Sequence, residues 1–223
     1  MADQVENLDF VGDGEQLRFL LVDTNCFLRI YQTSLRPILG ADVGGFRIRT
    51  LTDLVDEFRQ GKRLQDEYAW ANGDIDAAVA AGAVLALNDD ELKAVLEECQ
   101  LVKRFGNALL ENYCTQRLAP IPVRSLSTND ATLIATALVL NAVIATDEWP
   151  MTHVVQDLIQ EDERNVEIWN SFDLLHLLER AGCISAEDRY ETVKSWIRYG
   201  EALPHNWETQ YRRLFNEPAP KLQ

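Results

Sequence analysis

No apolar run in this sequence approaches the length of a membrane span. The longest, Leu133–Val139 and Ala142–Ala145, are broken by Thr and Asn and fall far short of the roughly 20 residues a bilayer requires. No basic segment leading into an apolar one stands near the N-terminus, so no secretory leader is expected. Cysteine is sparse: Cys26, Cys99, Cys114 and Cys183 are far apart and form no C-x-x-C pair. That excludes a zinc ribbon or a disulfide framework and fits reduced thiols in a cytoplasmic protein. The three histidines (His153, His176 and His205) lack metal-ligand spacing, and no trio of residues suggests nucleophilic catalysis. Gly12-Asp13-Gly14 precedes the first apolar run instead of following it, the wrong side for a phosphate-binding turn.

Basic charge is also scarce. Twenty-one Lys and Arg stand against 36 Asp and Glu, a net of −15, which repels nucleic acid at long range. The deficit is uneven. Residues 16–63 carry eight basic and five acidic side chains, whereas residues 130–223 carry eight and sixteen. Arg29, Arg36, Arg47, Arg49, Arg59, Lys62 and Arg63 are therefore candidates for a local phosphate-binding patch. Hydrophobic residues make up 47% of the 223 and charged residues 26%, enough apolar material for a globular core.

Residues 1–16 are acidic and polar and read as a loose arm. Leu17–Val22 is near-continuously apolar, as a central strand of a parallel sheet must be when both its faces are covered. Asp23-Thr24-Asn25 offers cap chemistry for a helix over Cys26–Gln32. A loop containing Gly40–Gly45, a strand over Phe46–Arg49 and a helix over Leu51–Gln60, capped by Thr50 or Thr52, follow. Helical spacing of Leu92, Val95, Leu96, Cys99, Val102 and Phe105 predicts a long helix over about Asp90–Arg117. Beyond Pro120 and Pro122 come a capped helix over Ala131–Leu140, a left-handed cap at Asn141, and a strand over Ala142–Thr146. After a loop and a short acidic helix over 151–165, Val166–Trp169 reads as a strand, Phe172–Arg180 as a helix, and 185–215 as a helical tail. Strands alternating with helices predict an α/β fold with a mostly parallel sheet.

The placement of acids carries the chemistry. Asp23 ends one apolar strand, Asp147 follows another, and Asp130 opens the helix that leads into the second. Ligands of open α/β sheets bind at the carboxyl ends of the strands. Glu57, on the helix after the Phe46–Arg49 strand, is a natural fourth member, with Asp56 as its competitor. Crowded carboxylates raise one another's pKa unless a cation neutralises them. Mg²⁺ or Mn²⁺, which prefer oxygen ligands, suit such a cluster.

Phe19-Leu-Leu-Val-Asp-Thr-Asn25, Leu54-Val-Asp-Glu-Phe58, Ser127-Thr-Asn-Asp130 with Ile134-Ala-Thr-Ala137, and Val143-Ile-Ala-Thr-Asp147 occur in that order. Together they resemble the acidic motifs of the PIN-domain ribonucleases, over roughly residues 17–175. The resemblance implies a three-layer α/β/α sandwich at 17–180, with a helical C-terminal extension over 181–223 that has no counterpart in the family. It further implies metal-dependent endoribonuclease activity, with Asp23, Glu57, Asp130 and Asp147 as catalytic metal ligands. Thr24, Asn25 and Thr146 would support them. The run Thr146-Asp147-Glu148 leaves Glu148 as a rival to Asp147, which follows the strand directly. RNA is the implied substrate. An antitoxin protein and a homodimeric partner are implied if the chain is the toxin of a toxin–antitoxin pair. The rival class is a catalytically weak PIN-like module that binds RNA or protein. A receiver-type phosphohydrolase is disfavoured, because no second aspartate follows two residues after Asp23.

Overall fold

The computed structural model describes residues 17–31, 33–62, 66, 72–116, 121–161 and 166–221. The expected N-terminal arm, residues 1–16, lies outside the described residues, as does Arg63. Five strands, β1 (Arg18–Val22), β2 (Asp42–Val43), β3 (Phe46–Arg49), β4 (Val143–Ala145) and β5 (Glu167–Trp169), form one sheet in the order β2-β3-β1-β4-β5. β1 runs parallel to β3 and β4, and β4 parallel to β5; only β2 is antiparallel. The molecule is thus α/β with a mostly parallel sheet. The expected strands are all present, within a residue or two of their expected ends.

β2 departs from the expected loop. Gly44 and Gly45 both take positive φ, 54° and 87°, and supply the tight two-residue turn that folds Asp42–Val43 back onto β3.

The helices are α1 (Thr24–Tyr31), α2 (Thr52–Gln60), α3 (Asn72–Ala80), α4 (Asp89–Thr115), α5 (Thr128–Leu140), α6 (Trp149–Glu161), α7 (Ser171–Arg180), α8 (Ala186–Tyr199) and α9 (Trp207–Phe215). Local chemistry sets their ends. Asn88, Ser127, Asn170 and Ser185 each close a reciprocal capping box on an acid three residues later. Asn141 ends α5 in the left-handed conformation, as expected. Neither Thr50 nor Thr52 caps α2; Leu51 takes the cap position, and the Thr50 hydroxyl instead donates to the Val22 carbonyl at 3.0 Å.

Each sheet face has its own core. Leu20 and Val22 of β1 join residues of α1, α7, α8 and α9 on one side, while Leu21 joins α4, α5 and α6 on the other. This explains why β1 reads as continuously apolar: side chains alternate between faces, and both faces are covered. At Gly106 a Cβ would come within 2.8 Å of the Leu126 side chain and 3.1 Å of Val154, so the glycine lets α4 lie close to α6. The expected single helical tail is two helices, parted at Gly200, whose φ is +71°. Both dock on the sheet's first face: Trp196 and Tyr211 are fully buried and meet the Phe172 ring edge to face. Among the described residues, no helix is long and apolar enough to cross a membrane.

Candidate functional site

The parallel register aligns strand ends. Val22 pairs with Ala145, so the residues that follow, Asp23 and Thr146, lie side by side, and the Asp23 amide donates to the Ala145 carbonyl at 3.0 Å. The α5 helix returns antiparallel to the strands, which places its first turn, with Asp130, at the same edge. The α2 helix leaves β3 from that edge and brings Glu57.

Asp23 is only 3% exposed. Its carboxylate accepts the Thr146 hydroxyl at 2.8 Å, and its carbonyl accepts the first bond of α1, from the Phe27 amide at 2.7 Å. Burial pushes the Asp23 carboxyl up to about 7; the charges of Glu148 and Asp130 add to that rise, and the Thr146 hydrogen bond opposes it. Glu148 is also raised, first by burial and then by the charges of Asp130 and Glu57, against the opposing pull of Arg124 and a hydrogen bond from Asn25. That bond, from Asn25 Nδ2 to Glu148 Oε1, is 2.6 Å long. Glu57 accepts from Asn129 Nδ2 at 3.0 Å and from the Thr24 hydroxyl at 3.4 Å. Asp130 spends one oxygen on its capping box, accepting the Ser127 amide at 2.8 Å. Asp23, Glu57, Asp130 and Glu148 therefore share one electrostatic neighbourhood. Asp56, the competitor of Glu57, sits beside Arg59 at 3.9 Å and makes no bond to Thr24 or Asn129.

Asp147 is elsewhere, contrary to its expected membership of the cluster. Its Oδ2 is paired with the Arg29 guanidinium, and its Oδ1 accepts the Ser171 amide at 3.0 Å at the start of α7. Both side chains of the pair are almost fully buried, 3% and 4% exposed. The reason is steric: along an extended segment neighbouring side chains point to opposite sides. With Thr146 turned to Asp23, Asp147 points into the core and Glu148 returns to the site. The sequence expectation chose the acid nearest the strand; the geometry places its rival in the cluster.

Four arginines of the expected patch are engaged by acidic side chains. Arg29 is buried, Arg47 and Arg49 pair with Asp42 at 3.5 and 3.2 Å, and Arg59 pairs with Asp76. Two residues went unremarked as site members. Asn129 lies inside the Ser127–Asp130 motif, and only its contact with Glu57 reveals it. Arg124, whose charge acts on Glu148, carries no mark in the sequence.

The donor set is oxygen alone: four carboxylates with hydroxyl and amide neighbours. That is the chemistry hard divalent cations prefer, and it disfavours soft-ligand metals. Among the described residues, no three Asp, Glu, His or Cys side chains close on a common point as they stand. The carboxylates that act on one another here are Asp23, Glu57, Asp130 and Glu148. No protein-family model, curated protein or solved structure matches this chain.

Proposed function

We propose that the chain is a Mg²⁺- or Mn²⁺-dependent endoribonuclease with a PIN-like, three-layer α/β/α core, and that its acidic centre is Asp23, Asp130 and Glu148 with Glu57. The observation that carries this reading is the clustering of these carboxylates, from four separated stretches, at the carboxyl edge of a parallel sheet. Among the described residues, no buried arginine neutralises them, as Arg29 neutralises Asp147. A divalent ion held there would supply charge compensation for a phosphodiester and activation of water. The chain's own residues prepare the site. Thr146 fixes the Asp23 carboxylate, Asn25 fixes Glu148, and Asn129 with Thr24 fixes Glu57. Positioning of this kind lowers the reorganisation required when phosphate arrives. Arg124, whose charge acts on Glu148, would meet the phosphate backbone.

A cleavage assay on single-stranded and structured RNA with Mn²⁺ tests the proposal. Cleavage must vanish with a chelator and fall roughly 10²–10³-fold in Asp23→Asn, the scale of losing several kcal/mol of charge stabilisation. Undiminished cleavage in Asp23→Asn overturns it. A second reading is a module that binds RNA or protein without cutting, and the acidic balance, net −15, favours the protein. RNA retention with no cleavage in Mn²⁺ selects that reading. The toxin role has a cellular corollary: expression of the wild-type chain arrests growth, and Asp23→Asn relieves the arrest.

A further inference from the structure

Arg29 is buried on α1, one turn beyond Asn25, and makes more contacts than a single ion pair needs. Its Nη1 reaches Asp147 Oδ2 and, at 3.4 Å, the Ser171 hydroxyl. Its Nη2 donates to the Ala202 carbonyl at 2.8 Å, and its Nε lies 3.6 Å from Glu201 Oε2. The Trp196 ring stands 5.8 Å from the guanidinium carbon, while Trp196 Nε1 donates to the Arg29 carbonyl at 3.1 Å. Three of these partners, Trp196, Glu201 and Ala202, belong to the C-terminal extension. The extension therefore reaches the underside of the segment that carries Glu148.

We propose that Arg29 is a positioning residue for Glu148, and that the Glu201–Ala202 turn of the extension is part of that support. The segment after β4 is held at each of its three residues. Thr146 is held upward: its amide donates to the Trp169 carbonyl at 2.9 Å, and its hydroxyl both donates to Asp23 at 2.8 Å and accepts the Glu148 amide at 3.1 Å. Asp147 is held downward by Arg29 and the Ser171 amide. Glu148 turns its carboxylate to Asn25, while its carbonyl accepts the Thr152 amide and hydroxyl, each at 3.1 Å. Releasing Asp147 frees the middle of the segment to rotate, and Glu148 with it. A planar guanidinium spans Asp147 and Ala202 together, which a lysine ammonium on one stem cannot do.

The geometry stands without the nuclease reading; its consequence for metal binding rests on that reading. Two measurements on the full chain keep them apart. The first is the pair of Asn25 side-chain amide signals in a ¹⁵N–¹H spectrum without divalent ion, assigned with Asn25→Ala. Arg29→Lys must move them toward their positions in Glu148→Ala. Arg189→Lys, which alters the other buried arginine, must leave them in place. The second is the Mn²⁺ dissociation constant by calorimetry. It should rise tenfold or more in Arg29→Lys, the scale for a residue that orients a ligand, and should not rise further when Arg29→Lys is added to Glu148→Gln. A merely structural arginine would lower the melting temperature without that dependence on Glu148. Unmoved Asn25 signals in a folded Arg29→Lys overturn the inference, whatever the metal data. A wild-type chain that neither binds Mn²⁺ nor cuts RNA overturns the nuclease reading, while the Asn25 signals still decide the positioning role.

Discussion

Asp147 and Glu148 are neighbours in the chain and opposites in environment. Asp147 is buried with a guanidinium and a backbone amide on its two oxygens, so its charge is compensated inside the protein. The charges of Asp130, Glu57 and Asp23 surround Glu148, and among the described residues the one side-chain hydrogen bond to its carboxylate comes from a neutral amide. Folding gains from the first arrangement and is opposed by the second. Such an uncompensated cluster is what a cation-dependent site looks like when charge complementarity is left to a ligand. The contrast can be broken at either residue, with different results.

The largest effect is on stability at the compensated end. Asp147→Ala strands the Arg29 charge in a buried position, and removal of one partner of a buried pair costs on the order of 3–5 kcal/mol. Urea unfolding of the variant should show a loss of that size. A loss below about 1 kcal/mol would mean that Arg29 finds compensation in Glu201 alone.

At the uncompensated end the signs reverse. Glu148→Gln removes a charge that its neighbours oppose, so the melting temperature should hold or rise. RNA cleavage in Mn²⁺ should fall roughly 10²-fold or more. A variant that loses stability but keeps its cleavage rate would exchange the roles assigned to the two acids.

These roles mark the limit of what the sequence makes legible. The strands and helices of the α/β core are legible because β1 and β4 are apolar on both faces, and because Ser127 and Asn141 carry end signals that depend only on close neighbours. β2, two residues long, has too short a pattern to stand out. The choice between Asp147 and Glu148 depends on contacts that no local pattern carries, from α1, 118 residues away, and from the start of α7, 24 residues away. Arg29 looked like surface charge, since nothing in its neighbours announces that Trp196 and Ala202 close over it. Asp23, by contrast, was legible, because a carboxylate that directly follows a buried parallel strand has its position fixed by the strand itself.

Asp23 also gives a pH test of the uncompensated end. Its carboxyl is pushed up to about 7 from the ordinary 3.8, so the folded state holds the proton more tightly. Stability from this group is complete below about pH 4, is lost as pH rises toward 7, and is fully absent above that. Asp23→Asn cannot ionise and escapes the loss. Without divalent ion, the variant should match the wild type near pH 4 and exceed it by on the order of 4 kcal/mol at pH 8. Millimolar Mn²⁺ should then stabilise the wild type and not the variant. Equal stability at pH 8 would show that Asp23 is not strained by its neighbours.

The smallest effect comes from an ion pair with the same chemistry as Arg29–Asp147 but a wetter setting. Arg18 and Glu167 meet at 3.2 Å across strands β1 and β5, with side chains 39% and 47% exposed. Water screens both charges and rehydrates whichever is left behind, so breaking this pair strands nothing. Glu167→Gln should cost less than about 1 kcal/mol, and 0.5 M salt should erase most of that loss. Salt should leave the Asp147→Ala penalty nearly unchanged, because its orphaned arginine lies beyond the reach of counterions. If salt erased both penalties alike, the Arg29–Asp147 pair would be a surface contact in solution, and its hold on the segment that carries Glu148 would go with it.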